Sequence, residues 1–211
     1  FDKGEIGKGE LLSITSFDPA PPPVSYVKVS GGLFRDMMIH DFDMARFLLG
    51  EEIETVSAQA SVLVDKAIGE AGDFDSASIM LATASGRHAT ISNSRRATYG
   101  YDQRIEVHGS KGAVAAENQR PVSIEIANAE GYTRPPLHDF FMTRYTEAYA
   151  REISHFIDCV ESKSPAAPSG ADGLIALALA DAALKSVSEG RAVKVSEITG
   201  PLADRSVFQG R

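Results

Sequence analysis

Three of the polar side chains in the largely apolar stretch GGLFRDMMIHDFDMARFLLG, residues 31–50, share one spacing pattern. Asp36, His40 and Asp43 follow one another at spacings of four and three, so on an α-helix they are neighbours on one face. An acid one turn before a histidine can orient the imidazole and select its tautomer. It can also tune the ring to take or give a proton near neutral pH. The chemistry suggested is general acid–base catalysis. A buried histidine tied to a carboxylate for structural reasons alone shows the same spacing, because perturbed ion pairs are often only structural.

A second group of polar and aromatic residues lies in SNSRRATYGYDQR, residues 92–104. Tyr99 and Tyr101 flank Gly100. Tyrosines can line a polyol pocket, the ring packing on a C–H face while the hydroxyl bonds an OH. Arg95 and Arg96 can bond hydroxyls too. A hairpin with exposed aromatics satisfies the same residues, since tyrosine is common in strands and turns. His88, His108, His138 and His155 show no ligand spacing and Cys159 is the only cysteine, so no metal site is expected. No Gly-x-Ser-x-Gly elbow is present, and HGSKG at 108–112 lacks the glycine spacing and the ending of a phosphate loop.

The elements that must position these groups follow from periodicity. A glycine pair and Gly50 bracket a helix predicted over 33–49. Met37, Met38, Ile39, Phe42, Met44, Ala45, Leu48 and Leu49 cover most of its circumference, as on a helix buried inside a protein. A polar stripe on such a helix needs partners or a wet pocket. Asp41 and Arg46 fall elsewhere on the wheel and are expected at exposed edges.

Residues 1–10 read as a helix end and a glycine-marked turn, and 11–17 as a strand. The prolines at 19 and 21–23 predict a loop over 18–30. Val56, Ala58, Ala60, Val62 and Val64 alternate with mostly polar residues, as on a half-buried strand. Segments 76–84 and 87–96 flank Ser85–Gly86 as a hairpin, and strands are expected at 104–107, 113–116 and 122–126. Adjacent strands with short turns imply a mainly antiparallel sheet. Helices return at 142–161, where Tyr145, Tyr149, Ile153, Phe156 and Val160 recur at helical spacing. A second helix, capped by Ser169 or Asp172, runs to Gly190, and its alanine-rich, nearly apolar sequence predicts packing on both sides. A last strand is expected at 192–195, and 199–211 is a polar tail.

The chain has 211 residues, 43% of them hydrophobic, which suits one domain with a sizeable core. Its formal net charge of −8 argues against nucleic acid or an anionic membrane as partner. A single cysteine permits no internal disulfide, which points to a reducing, cytoplasmic setting. No apolar run approaches the roughly 20 residues that span a bilayer.

The stretch at 31–50 resembles the signature helix of the C-terminal domain of the inositol 2-dehydrogenase group. That group is part of the Gfo/Idh/MocA family of NAD(P)-dependent sugar and polyol dehydrogenases. The family's acid-x-x-x-histidine motif falls on Asp36 and His40. YGYD at 99–102, followed by IEVHGSKG at 105–112, is similar to the group's continuation. GEIGK at 4–8 resembles the junction where members leave their nucleotide-binding domain. The opening FDKGEIGKGE has no methionine, and neither G-x-G-x-x-G nor the family's Glu-Lys-Pro motif, with its catalytic lysine, is present.

The resemblance implies an α+β fold: a large, open, mostly antiparallel β-sheet with helices on one face and no Rossmann domain. Residues 1–211 would form the substrate-binding and oligomerisation domain, with the dinucleotide-binding domain missing upstream and the isolated chain inactive. Asp36 and His40 would be catalytic, and Tyr99, Tyr101 and Arg96 would bind substrate. The substrate would be a small polyol, myo-inositol or a related cyclitol. NAD or NADP would be held mainly by the missing domain, and the open sheet face would build a homodimer or homotetramer. Two alternatives stand beside this: the same family acting on another sugar, sugar acid or dihydrodiol, and a non-catalytic sugar-binding or assembly module.

Overall fold

Along Gly9–Phe17 (β1) side chains alternate, as the two-residue period of a strand requires. Leu12, Ile14 and Ser16 are buried, whereas Leu11 and Ser13 face outward. In the computed structural model, which describes residues 3–200, β1 lies near the middle of a seven-stranded sheet. The other strands are β2 (Ile53–Ser61), β3 (Ser76–Thr83), β4 (His88–Ser94), β5 (Asp102–Gly109), β6 (Gly112–Ala116) and β9 (Val193–Lys194). Their order is β6-β5-β1-β4-β3-β2-β9. Only β1 and β4 run parallel; the other neighbours are antiparallel. β7 (Ile126–Asn128) and β8 (Gly131–Thr133) form a separate two-stranded ribbon. The strand expected at 122–126 is therefore displaced toward this ribbon.

The sheet is parallel at one seam because the chain leaves β1, builds three helices, and returns through the β2–β3–β4 meander. These helices are α1 (Val24–Ser30), α2 (Gly32–Asp36) and α3 (Ile39–Leu49). A short α4 (Lys66–Glu70) links β2 to β3, and α3 and the long α7 (Gly170–Glu189) cover one sheet face. The core joins Leu12, Ile14, Val56, Leu81 and Ile91 of the sheet to Phe34, Met38, Phe42 and Leu49, and to Leu179, Ala180 and Ala183 of α7. The alanines let α7 lie close to its neighbours. Ser169 and Asp172 together form its capping box, each side chain bonding the other's backbone N–H. The opposite sheet face carries small and hydroxyl side chains, among them Ser13 and Thr90 at 3.3 Å.

Several expectations are corrected. The loop at 18–30 ends in helix α1, because Pro23 sits just before it, where a missing N–H costs nothing. The carbonyl of Pro23 accepts from Tyr26 and Val27 N at 2.9 and 3.2 Å. Residues 3–8 form turns and bends with no helix end. α7 packs on one side only, since Leu174, Leu177 and Leu184 are exposed. The helix expected at 142–161 breaks at Tyr145 into α5 (Phe141–Arg144) and α6 (Thr146–Ser162). α6 leaves Tyr149, Ile153, Phe156 and Val160 exposed. Thr199, where the tail begins, ends α8 (Ser196–Thr199), and 201–211 lie outside the described residues. Among the described residues no helix is long and apolar enough to cross a membrane.

The correction that matters most falls at Met37–Met38, where the single helix over 33–49 divides. Both Met37 and Met38 donate their N–H to Leu33 O, at 3.1 and 3.0 Å. The second bond spans five residues, the mark of a π-type turn. One inserted residue turns everything after it by about 100°. Asp41, not His40, therefore takes the place one turn after Asp36.

Candidate active site

Parallel pairing brings the C-terminal ends of β1 and β4 side by side, with Phe17 opposite Ser94 and Asp18 N donating to Ser94 O at 2.9 Å. The turns leaving those ends carry Asp18 and Arg95. The break in the helix aims Asp36 and Asp41 at the same place. Asp36, at the end of α2, accepts from the Tyr26 hydroxyl on Oδ1 at 2.6 Å and from Arg95 Nη2 on Oδ2 at 3.4 Å. Asp41 is buried and accepts from the Ser16 hydroxyl and from Asn93 Nδ2, the latter at 3.4 Å.

Burial and neighbouring carboxylates disfavour the ionisation of Asp18 and Asp41. Burial pushes Asp18 up to about 6, offset by Arg95 and reinforced by Asp36. Burial likewise pushes Asp41 up to about 7, against the Ser16 and Asn93 hydrogen bonds and with the help of Asp18. The Tyr101 phenol is raised by burial and then by Tyr145, Asp18 and Asp41. Its ring meets Phe140 and Tyr145 edge-on, at centroid separations of 6.1 and 6.0 Å.

His40 stands at the start of α3, exposed, with no hydrogen-bond or ion-pair partner among the described residues. Among the described residues no bond links it to Asp36 or Asp43. Asp43 instead serves Arg46 Nη1 at 3.3 Å. Arg46, expected at an exposed edge, is buried and also bonds Glu52 at 2.6 and 2.8 Å. Asp41, expected at the other edge, is 7% exposed. The same rotation explains both: the faces predicted from one uninterrupted helix are displaced by one position.

The tyrosine pair is divided by Gly100, whose φ of 121° suits glycine and whose missing Cβ would lie 2.7 Å from Leu137 Cβ. Tyr101 N donates to His138 O and Leu137 N to Tyr99 O, at 2.8 and 3.2 Å. Tyr101 thus turns toward the carboxylates. Tyr99 turns away, donating to Asp102 Oδ2 at 2.6 Å beside Arg104 and Asn118. Arg96 is exposed and reaches Leu63 O at 3.4 Å, whereas Arg95 is 1% exposed and faces the acids.

Sequence spacing missed Asp18, Asp41, Asn93 and Arg95 as members of one corner. Only the parallel β1–β4 pairing and the helix break bring them together. Among the described residues no three His, Cys, Asp or Glu side chains are grouped to hold a metal ion. The corner can offer a hydroxylated ligand several acceptors, one guanidinium and a phenol.

Residues 1–115 match the model of the GFO/IDH/MocA C-terminal domain. The chain is 71% identical, over 195 residues, to inositol 2-dehydrogenase of Rhizobium meliloti, covering 92% of this chain and 59% of that protein. The crystal structure of a myo-inositol dehydrogenase from Corynebacterium glutamicum superposes with a TM-score of 0.89 at 43% identity, covering 92% of this chain and 58% of that one. A scyllo-inositol dehydrogenase from Lactobacillus casei, solved with bound NAD(H) and scyllo-inositol, superposes with a TM-score of 0.83 at 28% identity. That match covers 92% of this chain and 59% of the other.

Proposed function

This chain belongs to the GFO/IDH/MocA C-terminal domain family, and on that premise we propose that it is the substrate-binding half of an NAD-dependent oxidoreductase. The substrate is the secondary alcohol of myo-inositol or a related cyclitol. The observation that carries the reading is the corner itself, where Asp18, Asp36, Asp41, Arg95 and Tyr101 converge, while His40 stands exposed and, among the described residues, unpaired at the start of α3. A cyclic polyol presents hydroxyls in several directions and needs such a set of acceptors and donors.

His40 takes the hydroxyl proton as the C–H electron pair leaves the same carbon as hydride and the C=O bond forms. Imidazole suits this role because it exchanges protons near neutral pH. Asp36 accepts a hydrogen bond from a neighbouring hydroxyl; a carboxylate has about four lone-pair sites, so Tyr26 and Arg95 leave room for one more. Tyr101 contacts the polyol, with its ring braced by Phe140 and Tyr145. Tyr99 and Arg96 act at the margin, through Asp102 and the Leu63 carbonyl.

Among the described residues β1 leads to α1 through prolines, so no glycine-rich loop cradles a dinucleotide here. NAD, held by the remainder of the complete protein, supplies the hydride acceptor. The chain spans about 59% of the length of the relatives it matches. The uncovered apolar stripe of α6 is assigned to packing against that remaining part.

The test is oxidation of a panel of polyols by the complete protein with NAD and with NADP. Turnover of myo-inositol or another cyclitol is expected. Turnover confined to a different sugar or acid would replace the substrate, and no turnover with any of them would leave a binding module. Tyr101→Phe should raise KM for the polyol about fivefold, the worth of one hydrogen bond, and change kcat less. Unchanged KM and kcat would remove Tyr101 from the pocket. The open sheet face is expected to join two copies. Light scattering should therefore give the complete protein at least a dimer, and Met80→Glu, on an exposed Met80 in that face, should shift it to monomer. A monomeric wild type rules this out.

A further inference from the structure

We propose that Arg95 is a positioning residue for Asp36, its guanidinium clamping the two ends of α2 so that the Asp36 carboxylate meets a substrate hydroxyl. The proposal rests on the reading of Asp36 as a substrate-site acid. Arg95 Nη2 lies 3.4 Å from Asp36 Oδ2 and 3.7 Å from Asp73 Oδ2. Asp73 accepts the Leu33 N–H at 3.0 and 3.1 Å, which fixes the start of the helix, and Asp36 ends it. One buried nitrogen thus ties together both ends of a five-residue helix that is too short to hold itself. The clamp is itself anchored, because Arg95 N donates to Asp75 O at 2.8 Å.

Two further facts separate this from an ordinary core ion pair. Arg95 Nε is buried with no partner, an arrangement that costs stability and that a residue kept for stability alone would avoid. The carboxylates of Asp18, Asp36 and Asp73 all lie in the field of this one cation. Without it Asp36 faces like charges and is left with only the hydroxyl of Tyr26, itself on the exposed helix α1. The Asp36 side chain would then swing out of the substrate position without the fold being lost.

The experiment is a double-mutant cycle on kcat/KM for cyclitol oxidation by the complete protein. Arg95→Met should lower kcat/KM about tenfold, within the coupling expected of charged groups in one network. In an Asp36→Asn background the same change should lower it less than about twofold. Both carboxylate contacts come from the single atom Nη2, so Arg95→Lys, which can place one ammonium there, should recover most of the loss. Equal losses in both backgrounds, or wild-type kcat/KM in Arg95→Met, would overturn the assignment. If Arg95→Met does not fold, the cycle is run with Arg95→Lys, whose residual loss must vanish with Asp36→Asn. Wild-type activity in both His40→Ala and Asp36→Asn would instead overturn the underlying reading of the site.

Discussion

Replacing His40 by alanine should lower turnover of the complete protein by about 10²–10⁴-fold, the usual contribution of a positioned general base. The melting temperature should stay within about a degree or two of wild type, because substitutions at exposed, unpartnered positions usually change stability by no more than about 0.5 kcal/mol. His40 is exposed and bonded to nothing among the described residues. The combination of intact stability and lost turnover is what distinguishes a working imidazole from a packed one. Near-full activity in His40→Ala would remove it from the chemistry. A large loss of stability would show that the ring is held by contacts absent from this domain.

Asp41→Asn should stabilise the domain at pH 8 and scarcely affect it at pH 4. Asp41 is buried, and its carboxyl is raised to about 7 from an ordinary 3.8. The folded state therefore holds this proton more tightly than the unfolded chain. Between about pH 4 and 7 unfolding releases a proton, and stability falls as pH rises through that window. Above it the full penalty is present, a few kcal/mol at about 1.4 kcal/mol for each tenfold difference in proton affinity. An asparagine is neutral throughout. Its oxygen can accept from Ser16 and its amide can meet Asn93 Oδ1, which is buried without a partner. Asp18, raised to about 6, titrates with the same sign, so a weaker pH dependence remains in the variant. Melting curves at the two pH values measure the difference. A variant less stable than wild type at both would show that Asp41 serves as an ion.

Local pattern carried the sheet well. The alternation from Val56 to Ala60 in β2, which ends before the Val62 and Val64 also expected in it, the Ser85–Gly86 turn between β3 and β4, and the Ser169 and Gly190 ends of α7 all depend on residues near one another in sequence. The same local reasoning failed where long-range contacts intervene. A helical wheel assumes an unbroken ladder, and nothing in LFRDMMIH signals that Met38 will reach back to Leu33. Exposure failed for a related reason. Arg46 and Asp41 are charged residues that belong on a surface unless partners distant in sequence, such as Asp172 and Asn93, come to meet them.

The sequence by itself determined the family resemblance and the residue types on offer: an imidazole and a carboxylate four residues apart in an apolar stretch, and tyrosines around a glycine. Residue types and short spacings suffice for that, since they decide what can bond and what can titrate. Tertiary structure alone decided which carboxylates stand beside Arg95. The parallel seam between β1 and β4 and one extra residue in a helical turn bring Asp18, Asp36, Asp41 and Arg95 together and turn His40 outward. The seam joins residues more than seventy positions apart, and the turn replaces the regular ladder by one bond from Met38 to Leu33; neither is encoded in a local periodicity.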